Sequence, residues 1–218
     1  MKRRISAALF AAATAFLTPH VASAALLAQW DFQDNNSAVD TVIPGVTTSF
    51  VAGPVVAGDS LFIVNQEARA GSSSTALSNA PYWDVSISHA LGLAIQSLTF
   101  DTFLYQQPGL RNGFLDVYGS TNGFAGPLGP SLLPMIPVNS GTVSTITVPL
   151  NLLLTAGQTF TARIYVLNDP TDQAANLQAR ISLDNVTFNG VPEPSTLSLA
   201  ALAGAGFVFG AMRRRRTR

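Results

Sequence analysis

Residues 98–105 place Leu98, Phe100, Thr102 and Leu104 on one side of an extended chain and Thr99, Asp101, Phe103 and Tyr105 on the other. Residues 159–166 repeat the pattern, with Phe160, Ala162, Ile164 and Val166 opposed by Thr159, Thr161, Arg163 and Tyr165. A period of two sorts side chains onto the two faces of a strand, so both segments are predicted strands. Further strands are predicted over residues 26–32, 60–65, 82–88, 113–119, 143–150 and 178–188. Between residues 25 and 190 no stretch holds a helical period for three turns, and Gly and Pro recur too often to permit one. Eight or nine short strands predict an all-β, jelly-roll-like antiparallel β-sandwich.

The connections are predicted from composition. Gln106 to Gly113 should turn the chain between two paired strands. Residues 126–137, with Pro127, Pro130, Pro134 and Pro137, read as a surface crossover, because proline cannot donate to a sheet ladder. Residues 41–58 and 70–81 read as long connections at the ends of the sandwich. In the last strand Ile181 and Leu183 are out of phase with Val186 and Phe188, which predicts a bulge near Asp184 and Asn185.

The two ends follow other rules. Lys2, Arg3 and Arg4 precede an apolar run from Ile5 to Leu17, and Ala22-Ser23-Ala24 supplies small residues for cleavage. This is the pattern of a signal-peptide helix over residues 1–24, removed by signal peptidase after Ala24. At the other end Val191-Pro192-Glu193-Pro194-Ser195 leads into an uncharged run over 196–212 and then Arg213, Arg214, Arg215 and Arg216 within a basic tail, 213–218. Leu197 to Met212 would span about 24 Å as a helix at about 1.5 Å per residue. That is just short of the roughly 30 Å hydrocarbon core, and snorkelling arginines can cover the difference. The arginines should stay cytoplasmic and leave residues 25–190 outside as one β-sandwich domain.

The order Pro-Glu-Pro, short transmembrane helix and arginine cluster resembles the PEP-CTERM sorting signal of Gram-negative bacteria that make extracellular polysaccharide. The resemblance implies that residues 191–218 are read by a membrane-embedded exosortase, which cuts near Pro192-Glu193-Pro194. It also implies an inner-membrane anchor in transit and a final place at the cell surface or in the extracellular matrix. The alternative is an ordinary proline linker before a plain membrane anchor. A GPI-type tail fits worse, since such tails end apolar rather than in arginines.

Without its ends the chain changes character. Residues 25–191 keep four arginines, Arg69, Arg111, Arg163 and Arg180, no lysine, ten aspartates and Glu67, a net charge of −7. Such a domain cannot bind nucleic acid by neutralising phosphates, which requires clustered Lys or Arg. The absence of cysteine removes thiol nucleophiles and cysteine-rich metal sites.

Residues 163–168 (RIYVLN) and 183–190 (LDNVTFNG) resemble the closing strands of galactose-binding-like jelly rolls, and Asn122-Gly123-Phe124 stands where related chains have DGF. That resemblance implies Asp31 and Asp184 as positions of a structural calcium, although calcium takes six to eight oxygens. Their alternative role is as solvated or turn-capping aspartates. It also implies carbohydrate binding, for which Tyr82, Trp83, Tyr105 and Arg111 are the expected stacking and orienting residues. One of Tyr82 and Trp83 must face inward if both lie on a strand.

Catalytic signatures are poor. His89 is the only histidine after the signal segment and no Gly-x-Ser-x-Gly elbow accompanies it. A non-enzymatic exported surface or matrix protein, binding exopolysaccharide, is therefore expected. The alternative is a secreted glycan hydrolase using carboxylates such as Glu67, Asp101 and Asp116.

Overall fold

A computed structural model of the chain describes residues 24–55, 59–105, 112–124, 128–138, 141–169 and 179–192. The described residues form twelve strands: β1 (Ala25–Trp30), β2 (Thr41–Val42), β3 (Val46–Ala52), β4 (Ser60–Val64), β5 (Glu67–Ser72), β6 (Tyr82–His89), β7 (Leu93–Leu104), β8 (Gly113–Ser120), β9 (Ser131–Val138), β10 (Ser144–Leu154), β11 (Thr159–Asn168) and β12 (Ala179–Pro192). They build two antiparallel sheets. One runs β10-β7-β12-β1-β2, with β5 also paired to β12 and β4 to β5; the other runs β3-β6-β11-β8-β9. From β3 onward the chain repeatedly passes from one sheet to the other, which is the connectivity of a jelly-roll sandwich. The predicted signal-peptide and transmembrane helices lie outside the described residues.

Alternation explains the core. The inward set of β7 is Leu98, Phe100 and Leu104, and that of β11 is Phe160, Ala162, Ile164 and Val166; all are buried between the sheets. Rings tie the sheets together, with Phe188 of β12 edge-on to Trp30 of β1 at 6.3 Å and to Phe160 of β11 at 6.2 Å.

The bulge in β12 occurs where the phase of its apolar residues changes. Asp184 faces Asp101 and Thr187 faces Thr99, so three steps on β12 match two on β7. Asn185 takes up the extra residue at φ 48°. Leu183, Val186 and Phe188 thereby all face inward. On its other edge β12 changes partner at the same place, from β5 (Leu183 opposite Ala68) to β1 (Val186 opposite Trp30).

Four expectations about the connections are corrected. Residues 41–58 include β2 and β3; β3 is an edge strand whose polar Thr47, Thr48 and Ser49 hide its pattern. Residues 70–81 include the end of β5, whose buried alternate residues are the small Ala68, Ala70 and Ser72, and a short 3-10 turn, Leu77–Asn79. The crossover over 126–137 contains β9, which accepts Pro134 and Pro137 because it lies at the edge of its sheet. Residues 106–113 do not join paired strands, since β7 and β8 belong to different sheets.

Candidate functional site

The outer face of the five-stranded sheet carries a regular array. Register sets Asp84, Arg163 and Tyr118 side by side across β6, β11 and β8, and in the next row Tyr82, Tyr165 and Asp116. Arg163 Nε and Nη2 each donate to a different Asp84 carboxylate oxygen at 2.7 Å. The guanidinium carbon lies 3.8 Å from the centre of the Tyr82 ring and 4.4 Å from that of Phe124. Bonding to Asp84 raises the Arg163 pKa further, so this cation is permanent. Tyr165 packs 5.2 Å from Tyr82 and 5.8 Å from Tyr118, ring centre to ring centre.

Local backbone delivers these rings. Phe124 has φ 60°, a left-handed conformation uncommon for an aromatic residue, and it follows Gly123 at φ 70° in the Asn122-Gly123-Phe124 turn. Gly53 donates its N–H to the Tyr82 carbonyl at 2.9 Å, and a Cβ on Gly53 would sit 2.4 Å from the Tyr82 ring. The glycine leaves room for that ring beside β3. Burial, and after it Asp116, raises the Tyr118 pKa. The array borders a cleft of about 460 Å³ lined by Pro54, Leu77, Asn79, Tyr82, Arg163 and Tyr165.

The expected binding residues are divided by this geometry. Tyr82 is in the array, whereas Trp83 is 1 % exposed and belongs to the core, as the alternation of β6 requires. Trp83 is therefore corrected to a packing residue. Tyr105 follows β7 of the seven-stranded sheet, away from Tyr82, and bonds Glu67 through its hydroxyl. Arg111 lies outside the described residues. Arg163, Phe124 and Tyr165 were not among the expected binding residues; sequence placed Arg163 and Tyr165 on the outward face of a strand and Phe124 in the Asn122-Gly123-Phe124 turn.

Asp31 and Asp184 do not form a cation cage with other described residues. No group of three or more His, Asp or Glu side chains able to hold a metal ion occurs among the described residues. Asp31 Oδ1 instead accepts from Gln33 N at 3.0 Å, and Asp31 N donates to Asp40 Oδ2 at 2.7 Å, a turn-capping arrangement. The Asp184 pKa is raised by burial, then by the charges of Asp101, Glu67 and Asp31, against an opposing bond from Asn185 N. An unfolded chain would ionise Asp184 first as pH rises above the ordinary aspartate range near 4, so stability falls there and stays lower above the folded value. Asp184→Asn retains an acceptor for Asn185 N and removes that penalty. The variant is expected to melt higher than the parent at pH 7 and to converge with it near pH 3, as followed by circular dichroism.

The carboxylates considered for hydrolysis do not flank one cleft. Asp116 is on the five-stranded sheet and accepts from Ser131 and Tyr118; Asp101 and Glu67 are on the seven-stranded sheet. Asp101 accepts from Asn185 Nδ2 at 2.9 Å and Thr145 Oγ1 at 2.5 Å, while Glu67 holds Arg69 and Tyr105. His89 is buried at the end of β6, where its Nδ1 accepts from Leu91 N at 3.1 Å.

At the corner where the chain enters and leaves, Ala25 pairs with Gly190. Strand β12 continues through Val191 and Pro192, which pair with Ala94 and Leu93. The strand thus ends two residues inside the expected sorting segment. Glu193, Pro194, Ser195 and Arg213 to Arg216 lie outside the described residues. Residues 190–216 match the PEP-CTERM protein-sorting motif. A PEP-CTERM motif marks an exported protein that is processed by an exosortase-type enzyme. Its first residues, Gly190 to Pro192, are therefore part of the folded sandwich.

A comparison with curated proteins finds no match. Solved structures similar to this chain include the CBM22-2 xylan-binding domain of Paenibacillus barcinonensis Xyn10C, 13 % identical, covering 75 % of this chain and 98 % of that one at a TM-score of 0.43. The CBM22-1 xylan-binding domain of the same protein is 12 % identical, covering 78 % and 97 % at 0.43. TmCBM61, solved with β-1,4-galactotriose, is 8 % identical, covering 74 % and 95 % at 0.43.

Proposed function

We propose that the chain is a non-enzymatic protein of the cell surface or extracellular matrix, which binds polysaccharide through the outer face of its five-stranded sheet. The observation that carries the binding role is Arg163, held between the Tyr82 and Phe124 rings and clamped by Asp84 beside a sugar-sized cleft. Sugar recognition needs an apolar face for the C–H side of the ring and a few fixed donors for its hydroxyls. Tyr82 supplies the first and Asn79 and Arg163 the second. The separated and hydrogen-bonded carboxylates support a binding role over hydrolysis.

In this reading signal peptidase cuts after Ala24, the segment 196–212 holds the protein in the inner membrane, and an exosortase cuts near Pro192 to Pro194. Mass spectrometry of the exported protein should give Ala25 as its first residue and a C-terminus near 192–195. Retention of Arg213 to Arg216 would refute the processing step.

The binding role is tested by affinity electrophoresis of the full chain against a panel of neutral polysaccharides. Tyr82→Ala should weaken retention at least tenfold without lowering the melting temperature by more than a few degrees. Equal retention of variant and parent would move the site elsewhere, and no retention on any polysaccharide would remove the binding role.

A further inference from the structure

A second concavity lies on the opposite side of the sandwich, on the outer face of the seven-stranded sheet. Register puts Ser60, Gly71 and Arg180 in one row across β4, β5 and β12, and Phe62, Arg69 and Ser182 in the next. Tyr105 extends the first row, its N–H donating to the Arg180 carbonyl at 2.9 Å. Gly71 has no side chain, so its buried backbone forms the floor at the centre of the row. Ser60, Phe62, Arg69, Tyr105 and Arg180 stand around it and enclose a shallow hollow of about 100 Å³.

The charges of this hollow are unequally committed. Arg69 gives Nε to Glu67 at 3.0 Å and stacks 4.5 Å above the Tyr105 ring. Glu67 is thus neutralised by Arg69 and also accepts from the Tyr105 hydroxyl. Burial, reinforced by Glu67, pushes the Tyr105 pKa up to about 12, so that hydroxyl stays protonated and the bond persists at neutral pH. Nearby Asp59 accepts from both the N–H and the hydroxyl of Ser73 at 2.7 Å. Arg180 is exposed and has no ion-pair or hydrogen-bond partner for its guanidinium among the described residues. Phe62, which is 44 % exposed, forms an apolar wall opposite these donors.

We infer that this hollow is a binding site for a carboxylated sugar, such as a hexuronate unit of an acidic polysaccharide. Arg180 presents a planar fork of donors that matches a carboxylate. The ring of Phe62 offers a face for the C–H side of the same sugar. Because Arg69 and Glu67 neutralise each other, Arg180 is the uncommitted cation of the hollow, in a domain whose net charge is negative. The inference uses a different sheet from the Tyr82 array and does not depend on it.

Polygalacturonate and its fully methyl-esterified form share a backbone and differ in carboxylate charge, which makes them suitable probes. In microscale thermophoresis with the full chain, polygalacturonate should bind at least tenfold more tightly than the ester. Arg180→Gln and Phe62→Ala should each remove most of that difference, and Tyr82→Ala should leave it intact. Because Arg180 is exposed, its variant should melt with the parent. The inference is overturned if the acid form does not bind, if the ester binds equally, or if Arg180→Gln binds as the parent does. Loss in Tyr82→Ala together with retention in Arg180→Gln would assign acidic glycans to the other face.

Discussion

Valine at position 190 is expected to disrupt the closing end of the sandwich, and even alanine should be poorly tolerated. Gly190 lies in β12 between β1 and β7, opposite Ala25 on one side and Ile95 on the other. A Cβ there would stand 2.1 Å from the Ala94 carbonyl oxygen, 2.9 Å from Leu27 Cδ1 and 3.0 Å from Ile95 Cα. Two of these atoms are main chain in a paired strand, so they cannot move aside as a flexible side chain would. Overpacking costs about 1–3 kcal/mol where side chains can adjust. Here the cost should reach or pass the upper end, because relief requires β7 or β12 to unpair. Urea denaturation of Gly190→Ala and Gly190→Val measures it, and an unchanged midpoint for the alanine variant would contradict the packing described. The same variants bear on sorting, since the loosened residues are the first of the PEP-CTERM motif.

Truncating Phe188 to alanine is expected to cost about 3–5 kcal/mol, the range for emptying a buried aromatic site. Phe188 is fully buried and contacts Trp30 of its own sheet and Phe160 of the other. Its removal opens a cavity between the sheets and deprives both partners of an edge contact. For a domain of this size each kcal/mol moves the melting temperature by roughly 2–4 °C, so a fall of about 6–20 °C should be seen by calorimetry. Phe188→Leu, which keeps much of the volume, should lose less than half as much. A fall below about 3 °C for the alanine variant would mean that the sheets can close over the gap.

What could be read in advance divides along a physical line. Strands with one buried face announce themselves, as the alternation of residues 98–105 and 159–166 does, and even the bulge at Asn185 was legible as a slip in phase. Edge strands do not: β3 buries Phe50 but little else, and β9 carries prolines that only an edge tolerates. The candidate sites depend on register between strands distant in sequence, and register is not a local property. Nothing in residues 82–88 or 159–166 alone says that Asp84 will face Arg163, or in residues 67–72 that Gly71 will separate Ser60 from Arg180. The sorting tail is legible because it is linear and acts without a partner strand.

The place of β12 also has a consequence in time. It is the last of the described strands, yet it lies inside its sheet, with β7 along one edge and β5 and β1 along the other. Until it emerges on the far side of the membrane, those three strands present unpaired edges, and such edges invite pairing with other chains. Closure also joins β1 to the opposite end of the chain, a slow kind of step. The sandwich is therefore completed late and in one event, by residues adjoining the sorting motif. If residues 196–212 hold the chain at the membrane, as proposed, this strand gains an interval to find its slot. Cutting too early would release a sheet with an open seam.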